Sequence, residues 1–63
     1  MLGKNIKSRR VNIGMTQSNL AELLGTRQKD VSAWEADKKT PSIYTVKTIC
    51  EILQCSMDEI MSN

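Results

Sequence analysis

A tight break between two short helical segments is the feature that most constrains how this chain can fold. Segment two begins at Thr16, a residue type that caps helices well, and ends at Gly25. Glycine supplies the positive φ that ends many helices, and we expect Thr26 to cap the helix that follows. The sequence predicts these helices, segments two and three of the chain, at about residues 16–24 and 27–36, with the break at Leu24-Gly25-Thr26. Helices joined this closely cross at a steep angle.

The other segments also repeat their apolar residues with the period of a helix, and runs of β-branched residues are absent. Segment one extends from about Leu2 to Asn12, and Gly14 is expected to stop it. Its inward stripe is predicted to consist of Ile6, Arg10 and Ile13.

Segment four follows Pro41 and Ser42, and Ser42 is expected to cap it. Its predicted core stripe contains Ile43, Val46, Ile49, Cys50 and Leu53. Segment five opens with a capping box from Ser56 to Glu59 and continues with Ile60 and Met61. The sequence therefore predicts an all-α fold of four or five short helices.

Composition excludes several classes of function. With 63 residues, the chain is long enough for one small domain. It has no histidine, which excludes His-based zinc sites, Ser-His-Asp triads and Cys-His dyads. Two cysteines, Cys50 and Cys55, are too few for a disulfide framework or for a zinc site with four cysteine ligands. The only aromatic residues, Trp34 and Tyr44, are too few to form a platform on which the bases of single-stranded nucleic acid stack. We therefore expect no catalysis, no metal and no cofactor.

Charge is distributed unevenly along the chain. Residues 1–41 carry eight basic and four acidic side chains, whereas residues 42–63 carry one basic and three acidic. This asymmetry favours an anionic partner, such as nucleic acid, for the front of the chain, although small domains also show it by chance. The chain has no signal peptide and no apolar run long enough to cross a membrane, so we expect a cytoplasmic protein without a membrane partner.

Spacing alone leaves two interpretations of the tight break: a helix-turn-helix, or an ordinary corner of a small helical bundle. A longer pattern favours the first, and it consists of Thr16, Gln17, Ala21, Leu24, Gly25, Val31, Ser32, Trp34 and Glu35, followed by Pro41, Ser42, Lys47, Ile49 and Cys50. This pattern resembles the phage repressor and Cro-type helix-turn-helix family, also called lambda-repressor-like or xenobiotic-response-element proteins. The resemblance implies a compact five-helix DNA-binding domain over residues 1–63 that binds operator DNA, usually as a dimer.

By this resemblance segment three is the recognition helix. If Val31 and Trp34 face the core, the opposite face is free to read base edges in the major groove. Gln28 can pair with adenine N6 and N7, and Lys29 can donate to guanine. The expected base contacts are made by Arg27, Gln28, Lys29, Ser32 and Ala33. The alternative is that these residues form a solvated polar face.

The resemblance also implies contacts to the DNA backbone. Helix N-termini attract phosphates, and the loop after the recognition helix is basic. The expected phosphate contacts are made by Thr16, Gln17, Arg10, Lys38, Lys39, Thr40, Ser42 and Tyr44. Tyr44 has a second interpretation, in which it covers the edge of the core.

Arg10 and Glu35 match a family ion pair between the first and third helices. Because Arg10 interrupts an apolar stripe, we expect it to be partly buried and paired, the alternative being a solvated arginine. The chain departs from the family in having Ala36-Asp37 where many members have Asn-Gly. Asp30 is also unusual, and it either complements the helix N-terminus or accepts from cytosine N4.

The function expected from these features is sequence-specific regulation of transcription, as a repressor that binds a pseudo-palindromic operator as a homodimer. We expect Leu53 and Ile60 to close the core, and Ile52, Met57 and Met61 to form the dimer interface. One alternative is a monomer that dimerises only on the operator. Another is an antitoxin or antirepressor-type protein-interaction module whose DNA binding is secondary.

Overall fold

Five helices connected by short turns form the fold seen in a computed structural model, which describes residues 1–62. They are α1 (Leu2–Asn12), α2 (Gln17–Leu24), α3 (Gln28–Glu35), α4 (Ile43–Leu53) and α5 (Met57–Met61). No strand occurs among the described residues. The predicted all-α, five-helix fold is confirmed.

Side-chain caps fix where three of the helices begin. Thr16 Oγ1 accepts a hydrogen bond from the backbone N–H of Asn19 (3.0 Å) at the start of α2. Ser42 accepts one from Thr45 (3.1 Å) at the start of α4. At the start of α5, Ser56 and Glu59 form the predicted reciprocal capping box. Each cap satisfies an N–H group that has no partner within its helix.

The start of α3 differs from the expectation. The N-cap is Arg27, so the prediction that Thr26 caps this helix is wrong. The N–H of Thr26 instead bonds back to Ala21 O (2.9 Å), which makes Thr26 part of the turn that ends α2. Its hydroxyl donates to the Asp30 carboxylate (2.6 Å), which also accepts from the N–H of Arg27 (3.3 Å). These two hydrogen bonds hold the pKa of Asp30 below its ordinary value, so Asp30 complements the helix N-terminus.

The core takes at least one side chain from every helix. Ile6, Leu20, Val31, Ile49 and Ile60, one from each of the five helices, are fully buried. Leu53 is buried beside them, so the expectation that Leu53 and Ile60 close the core is met. Trp34, Ile52 and Met57 are partly buried against this cluster.

Two residues placed in core stripes by the sequence lie at the surface instead. Ile13 is the C-cap of α1, and because the chain leaves the helix there, its side chain departs from the stripe of Ile6 and Arg10. Ile43 is the first residue of α4, next to the Ser42 cap, and it is 58% exposed. Helical periodicity does not apply at such ends, because the backbone there is not continued by a full turn on both sides.

Candidate nucleic-acid interface

The corner between α2 and α3 is built around Gly25. Gly25 has φ +71°, the left-handed conformation predicted for it, and it forms the C-cap of α2. Below the corner, Val31 is fully buried and Trp34 packs against the core, so the opposite face of α3 is directed outward. Two short helices joined by such a turn form a helix-turn-helix arrangement.

The five residues expected to contact bases all belong to α3 or to its N-cap. Arg27, Gln28 and Lys29 are exposed, whereas Ser32 and Ala33 are half-buried. The structure therefore brings a guanidinium, an amide and an ammonium group together at the N-terminal end of α3. These are groups that can bind base edges in a major groove.

Arg10 lies in the interior and is paired with Glu35. Arg10 Nε donates to Glu35 Oε2 (2.6 Å) and Arg10 Nη2 donates to Glu35 Oε1 (3.0 Å). Arg10 Nη1 donates to the carbonyl oxygen of Met15 (2.7 Å). The two side chains are only 9% and 3% exposed, so a solvated arginine is not what the structure contains. Little of this guanidinium is left for the phosphate contact expected of it.

The carboxylate of Glu35 is stabilised in its charged form. Burial by itself would raise the pKa of Glu35, but the hydrogen bonds from Arg10 and Gln17 and the charge of Arg10 lower it below its usual value. The same pairing raises the pKa of Arg10. Glu35 therefore stays ionised although it is largely buried.

Gln17 extends this ion pair towards the surface. Its Nε2 donates to Glu35 Oε1 (2.9 Å), and its Oε1 accepts from Gln28 Nε2 (2.6 Å). A continuous series of hydrogen bonds thus links the interior to an exposed side chain on α3. We call Arg10, Glu35, Gln17 and Gln28 the polar relay.

Most of the other residues expected to contact phosphates lie at the surface. Lys38, Lys39 and Thr40 are exposed in the loop between α3 and α4, and the helix caps Thr16 and Ser42 are exposed as well. Tyr44 is 81% exposed, so it does not cover the edge of the core. That these side chains contact DNA is a prediction.

Asp37 connects the loop after α3 to the start of α1, a contact that the sequence did not indicate. It adopts φ +57°, the left-handed turn conformation, and its Oδ1 accepts a hydrogen bond from the backbone N–H of Gly3 (3.1 Å). The carboxylate therefore satisfies an N–H at the start of α1, where a negative charge is favourable.

Sequence analysis did not nominate Lys7, which the structure places beside the site. Lys7 lines a shallow groove together with Gln17, Ser32, Glu35 and Ala36. It is exposed, and its charge helps to lower the pKa of Glu35. Lys7 lies three residues before Arg10 on α1 and thus on a neighbouring part of the helix surface, a signal that could have identified it.

The three residues expected at the dimer interface differ in exposure. Ile52 and Met57 are partly buried against the core, and Met61 is 52% exposed. Within residues 1–62 there is no cluster of three or more residues suited to a metal ion, and no helix there is both long and apolar enough to span a membrane.

Curated relatives of this chain include two regulators. It is 26% identical over 61 residues to repressor protein C2 of Salmonella phage P22, a match that covers 97% of this chain and 28% of the relative. It is 34% identical over 55 residues to the transcriptional regulator DicA of Escherichia coli K12, covering 87% of this chain and 41% of the relative. The chain thus spans less than half the length of these relatives.

Solved structures show the same fold. The P22 c2 repressor bound to a synthetic operator superposes with a TM-score of 0.91 at 26% identity, covering 98% of this chain and 94% of that one. The structure of SinR, a master regulator of biofilm formation, in complex with DNA superposes with a TM-score of 0.89 at 30% identity, covering 98% of this chain and 100% of that one. A chain of a SinR/SinI protein complex superposes with a TM-score of 0.90 at 30% identity, covering 100% of this chain and 62% of that one.

The predicted family resemblance is confirmed by a family profile. The profile described as helix-turn-helix matches residues 6–60, which include most of α1, all of α2, α3 and α4, and most of α5. The relatives and structures above are repressors and regulators, in agreement with the expectation that the chain is not an enzyme. This chain belongs to the helix-turn-helix family.

Proposed function

We propose that this protein is a sequence-specific transcriptional repressor whose α3 enters the major groove of operator DNA. The observation that carries the proposal is the outward face of α3, where Arg27, Gln28 and Lys29 project from a helix fixed to the core by Val31. Such a helix can present its side chains to bases without first becoming ordered. Two similar structures, those of the P22 c2 repressor and SinR, contain DNA, which supports the proposal.

The backbone contacts proposed for this protein surround α3. The exposed Lys38 and Lys39 follow it in the chain, and the N-terminus of α2 precedes it. Contacts from these positions would set the orientation of the helix on the duplex without reading its sequence.

We further propose that the protein acts as a homodimer on a pseudo-palindromic operator. One domain of this size buries little surface on a half-site, and a two-fold pair doubles the area and the number of base contacts. The exposed Met61, together with the accessible parts of Ile52 and Met57, provides the apolar surface for pairing. Met57 and Met61 belong to α5 and Ile52 to the end of α4, all in the part of the chain after residue 41, where acidic side chains outnumber basic ones.

Selection from a library of random DNA duplexes tests the proposed function. We expect the protein to enrich two inverted half-sites whose centres are about 10 base pairs apart, since successive major grooves on one side of B-DNA repeat at that spacing. The control is Gln28→Ala with Lys29→Ala, which removes two exposed side chains of α3 and leaves the core intact. Failure of the unaltered protein to enrich any motif at low salt would refute the proposal.

A protein-interaction module is the second candidate function, and one observation favours it. The chain is similar to a chain of a SinR/SinI protein complex. Exposed apolar residues, among them Val11, Ile13 and Leu23, would suit a protein partner. A partner that co-purifies at fixed stoichiometry, with no enrichment of DNA sequence, would establish this alternative.

A further inference from the structure

The turn that ends α4 brings the two cysteines of the chain together. Gln54 adopts the left-handed conformation, with φ +57° and ψ +50°, and turns the chain back towards the helix. The backbone N–H of Cys55 then donates to the carbonyl oxygen of Cys50 (3.0 Å), the hydrogen bond that marks a Schellman motif. Backbone bond lengths on either side of this hydrogen bond keep the two Cα atoms within about 7 Å, the limit for closing a disulfide without moving the backbone.

The two thiols have different surroundings. Cys50 is 5% exposed, and its Sγ lies 3.7 Å from the carbonyl oxygen of Ser56 and 3.7 Å from Met57 Sδ, at the start of α5. Burial, and after it a hydrogen bond with the thiol of Cys55, raises the pKa of Cys50 to about 11. Cys55 is partly exposed, and both cysteines are free. The side chains therefore meet, and a reagent in solution reaches Cys55 before Cys50.

We propose that Cys50 and Cys55 are an oxidation site, at which a hydroperoxide converts the two thiols into a reversible disulfide within one chain. The support is the main-chain hydrogen bond between the two residues, the contact of their side chains, and the access from solvent to one of them. Disulfides of proteins in a reducing compartment are usually transient and report the redox state. A bond that closes without moving the backbone meets this description.

The reaction begins at Cys55. Its thiolate attacks the outer oxygen of the hydroperoxide, an S–O bond forms, the O–O bond breaks, and the leaving alkoxide takes up a proton to become an alcohol. The sulfur of Cys50 then attacks the sulfenic acid on Cys55. An S–S bond forms, the S–O bond breaks, and the hydroxyl group leaves as water with the proton of the Cys50 thiol. Two thiols lose two electrons and two protons in all, and the hydroperoxide is reduced to an alcohol and water.

The disulfide would change how α4 contacts α5. An S–S bond is only about 2.05 Å long, so it draws Cys50 Sγ towards Cys55 and away from Ser56 and Met57. Met57 packs against the core and belongs to the surface proposed for pairing. We therefore expect oxidation to weaken the homodimer. This consequence rests on the proposed function, whereas the disulfide itself does not.

Thiol counting with the reduced protein tests the disulfide. After treatment with hydrogen peroxide and then denaturation, we expect no thiol to react with iodoacetamide, and dithiothreitol to restore both. Glu51 lies between the cysteines, so cleavage after it should give two peptides joined by the bond. Two alkylated cysteines after peroxide, or a bond between two chains on a non-reducing gel, would overturn the inference.

Two variants test the order of attack. Cys50→Ala removes the thiol that closes the bond, so we expect a sulfenic acid on Cys55 that dimedone traps. Cys55→Ser leaves only the buried thiol, and we expect it to keep an alkylatable Cys50 under the same treatment. Circular dichroism verifies that both variants are folded. A Cys50 oxidised in folded Cys55→Ser as fast as the pair in the unaltered protein would contradict the order of attack.

Sedimentation equilibrium of the reduced and oxidised protein tests the effect on pairing. We expect oxidation to raise the dissociation constant of the homodimer about fivefold or more, the effect of displacing one contributing interface residue. Cys55→Ser keeps every methionine, so an equal loss of association in peroxide-treated Cys55→Ser would assign the effect to methionine oxidation and overturn the effect on pairing. A reduced protein that stays monomeric refutes the proposed homodimer instead, and the thiol count still decides whether the disulfide forms.

Discussion

At the scale of single residues, the pair of Arg10 and Glu35 is stabilising only while both members are present. Each side chain is almost completely removed from water. The free energy lost by desolvating the two charges is offset by their attraction and by their hydrogen bonds. The carbonyl of Met15 and the amide of Gln17 satisfy further polar atoms of the pair. All buried side-chain nitrogen and oxygen atoms of the described residues have a partner, so no desolvated group is left uncompensated there.

The losses of stability caused by changing each member of the pair should therefore not add. We expect Arg10→Met and Glu35→Gln to lower the free energy of unfolding by about 3 kcal/mol each, because each leaves a buried polar group without its partner. The double variant should lose much less than the sum. Urea unfolding of all four proteins measures the coupling, and a coupling energy below about 0.3 kcal/mol would show that the two residues do not interact.

The same pair gives stability a defined dependence on pH. The folded-state pKa of Glu35 lies below its ordinary value of 4.5, so its contribution is fully present above the unfolded pKa. It is lost as the pH falls through the lower, folded-state pKa. We therefore expect the free energies of unfolding of the unaltered protein and Glu35→Gln to converge below pH 4.5, when measured by thermal melts. Parallel curves down to about pH 2, below the range in which a carboxylate of this kind titrates, would contradict this linkage.

Sequence reasoning predicted some of these residue contacts and missed others. Arg10 was expected in the interior because it interrupts an apolar stripe, and the family resemblance supplied Glu35 as its partner. The bonds from Gln17 to Glu35 and from Gln28 to Gln17 were not anticipated. They depend on the rotamers of two long side chains on different helices, which spacing along one helix does not specify.

At the scale of secondary-structure elements, α1 meets the end of α3 at an unusually close approach. A Cβ atom at Gly3 would lie 2.5 Å from the carbonyl oxygen of Trp34 and 2.6 Å from that of Glu35. Both contacts are to backbone, which cannot move as a side-chain end can. The absence of a side chain at Gly3 thus allows α1 to lie against the segment that carries Glu35.

Gly3→Ala should destabilise the protein although alanine is the better helix former. The gain in helix propensity is about 1 kcal/mol, whereas forcing a methyl group into a packed site costs about 1–3 kcal/mol. We expect a net loss in urea unfolding and a displaced α3 terminus. Ser8→Ala, on an exposed part of the same helix, is the control and should be neutral or slightly stabilising. A Gly3→Ala variant as stable as Ser8→Ala would contradict the close contact.

Helix starts were predictable where no neighbouring turn competes with the capping residue. Thr16, Ser42 and Ser56 all cap the helices expected of them. The prediction failed at Thr26 because two features compete there: the turn after Gly25 takes the N–H of Thr26, and Asp30 reaches back to the N–H of Arg27. A sequence shows that capping residues are present, but which of them forms the cap depends on the turn before the helix.

At the scale of the whole molecule, the centre of the core was more predictable than its margins. Val31, Ile49 and Leu53 lie where helical spacing placed them. Ile13 and Ile43, at helix ends, do not, and Leu23 on α2 is 59% exposed although it belongs to an apolar run. In a chain of this size many apolar side chains lie close to a surface, and periodicity does not show which of them are covered.

The asymmetric charge of the molecule predicts a strong effect of salt on DNA binding. With roughly four to eight phosphate contacts per dimer, the logarithm of the affinity should fall with the logarithm of salt concentration with a slope of about −4 to −7. Lys38→Ala and Lys39→Ala should make the slope shallower and weaken all sequences alike, whereas Lys29→Ala should relax the preference at particular positions. Titrations of the selected duplex measure these slopes, and a slope near zero would refute phosphate binding.

The proposed dimer belongs to the scale of the whole molecule, and a substitution in the apolar surface at α5 tests whether it forms. Two recognition helices have to lie about 34 Å apart to enter successive major grooves, a separation that one domain cannot provide. We expect sedimentation equilibrium without DNA to show self-association that Met61→Lys abolishes, since it places a charge in the proposed contact. Leu23→Lys, an exposed apolar residue on α2, is the matched control and should associate normally. A chain that stays monomeric at high concentration and binds the two half-sites without cooperativity would contradict the dimer.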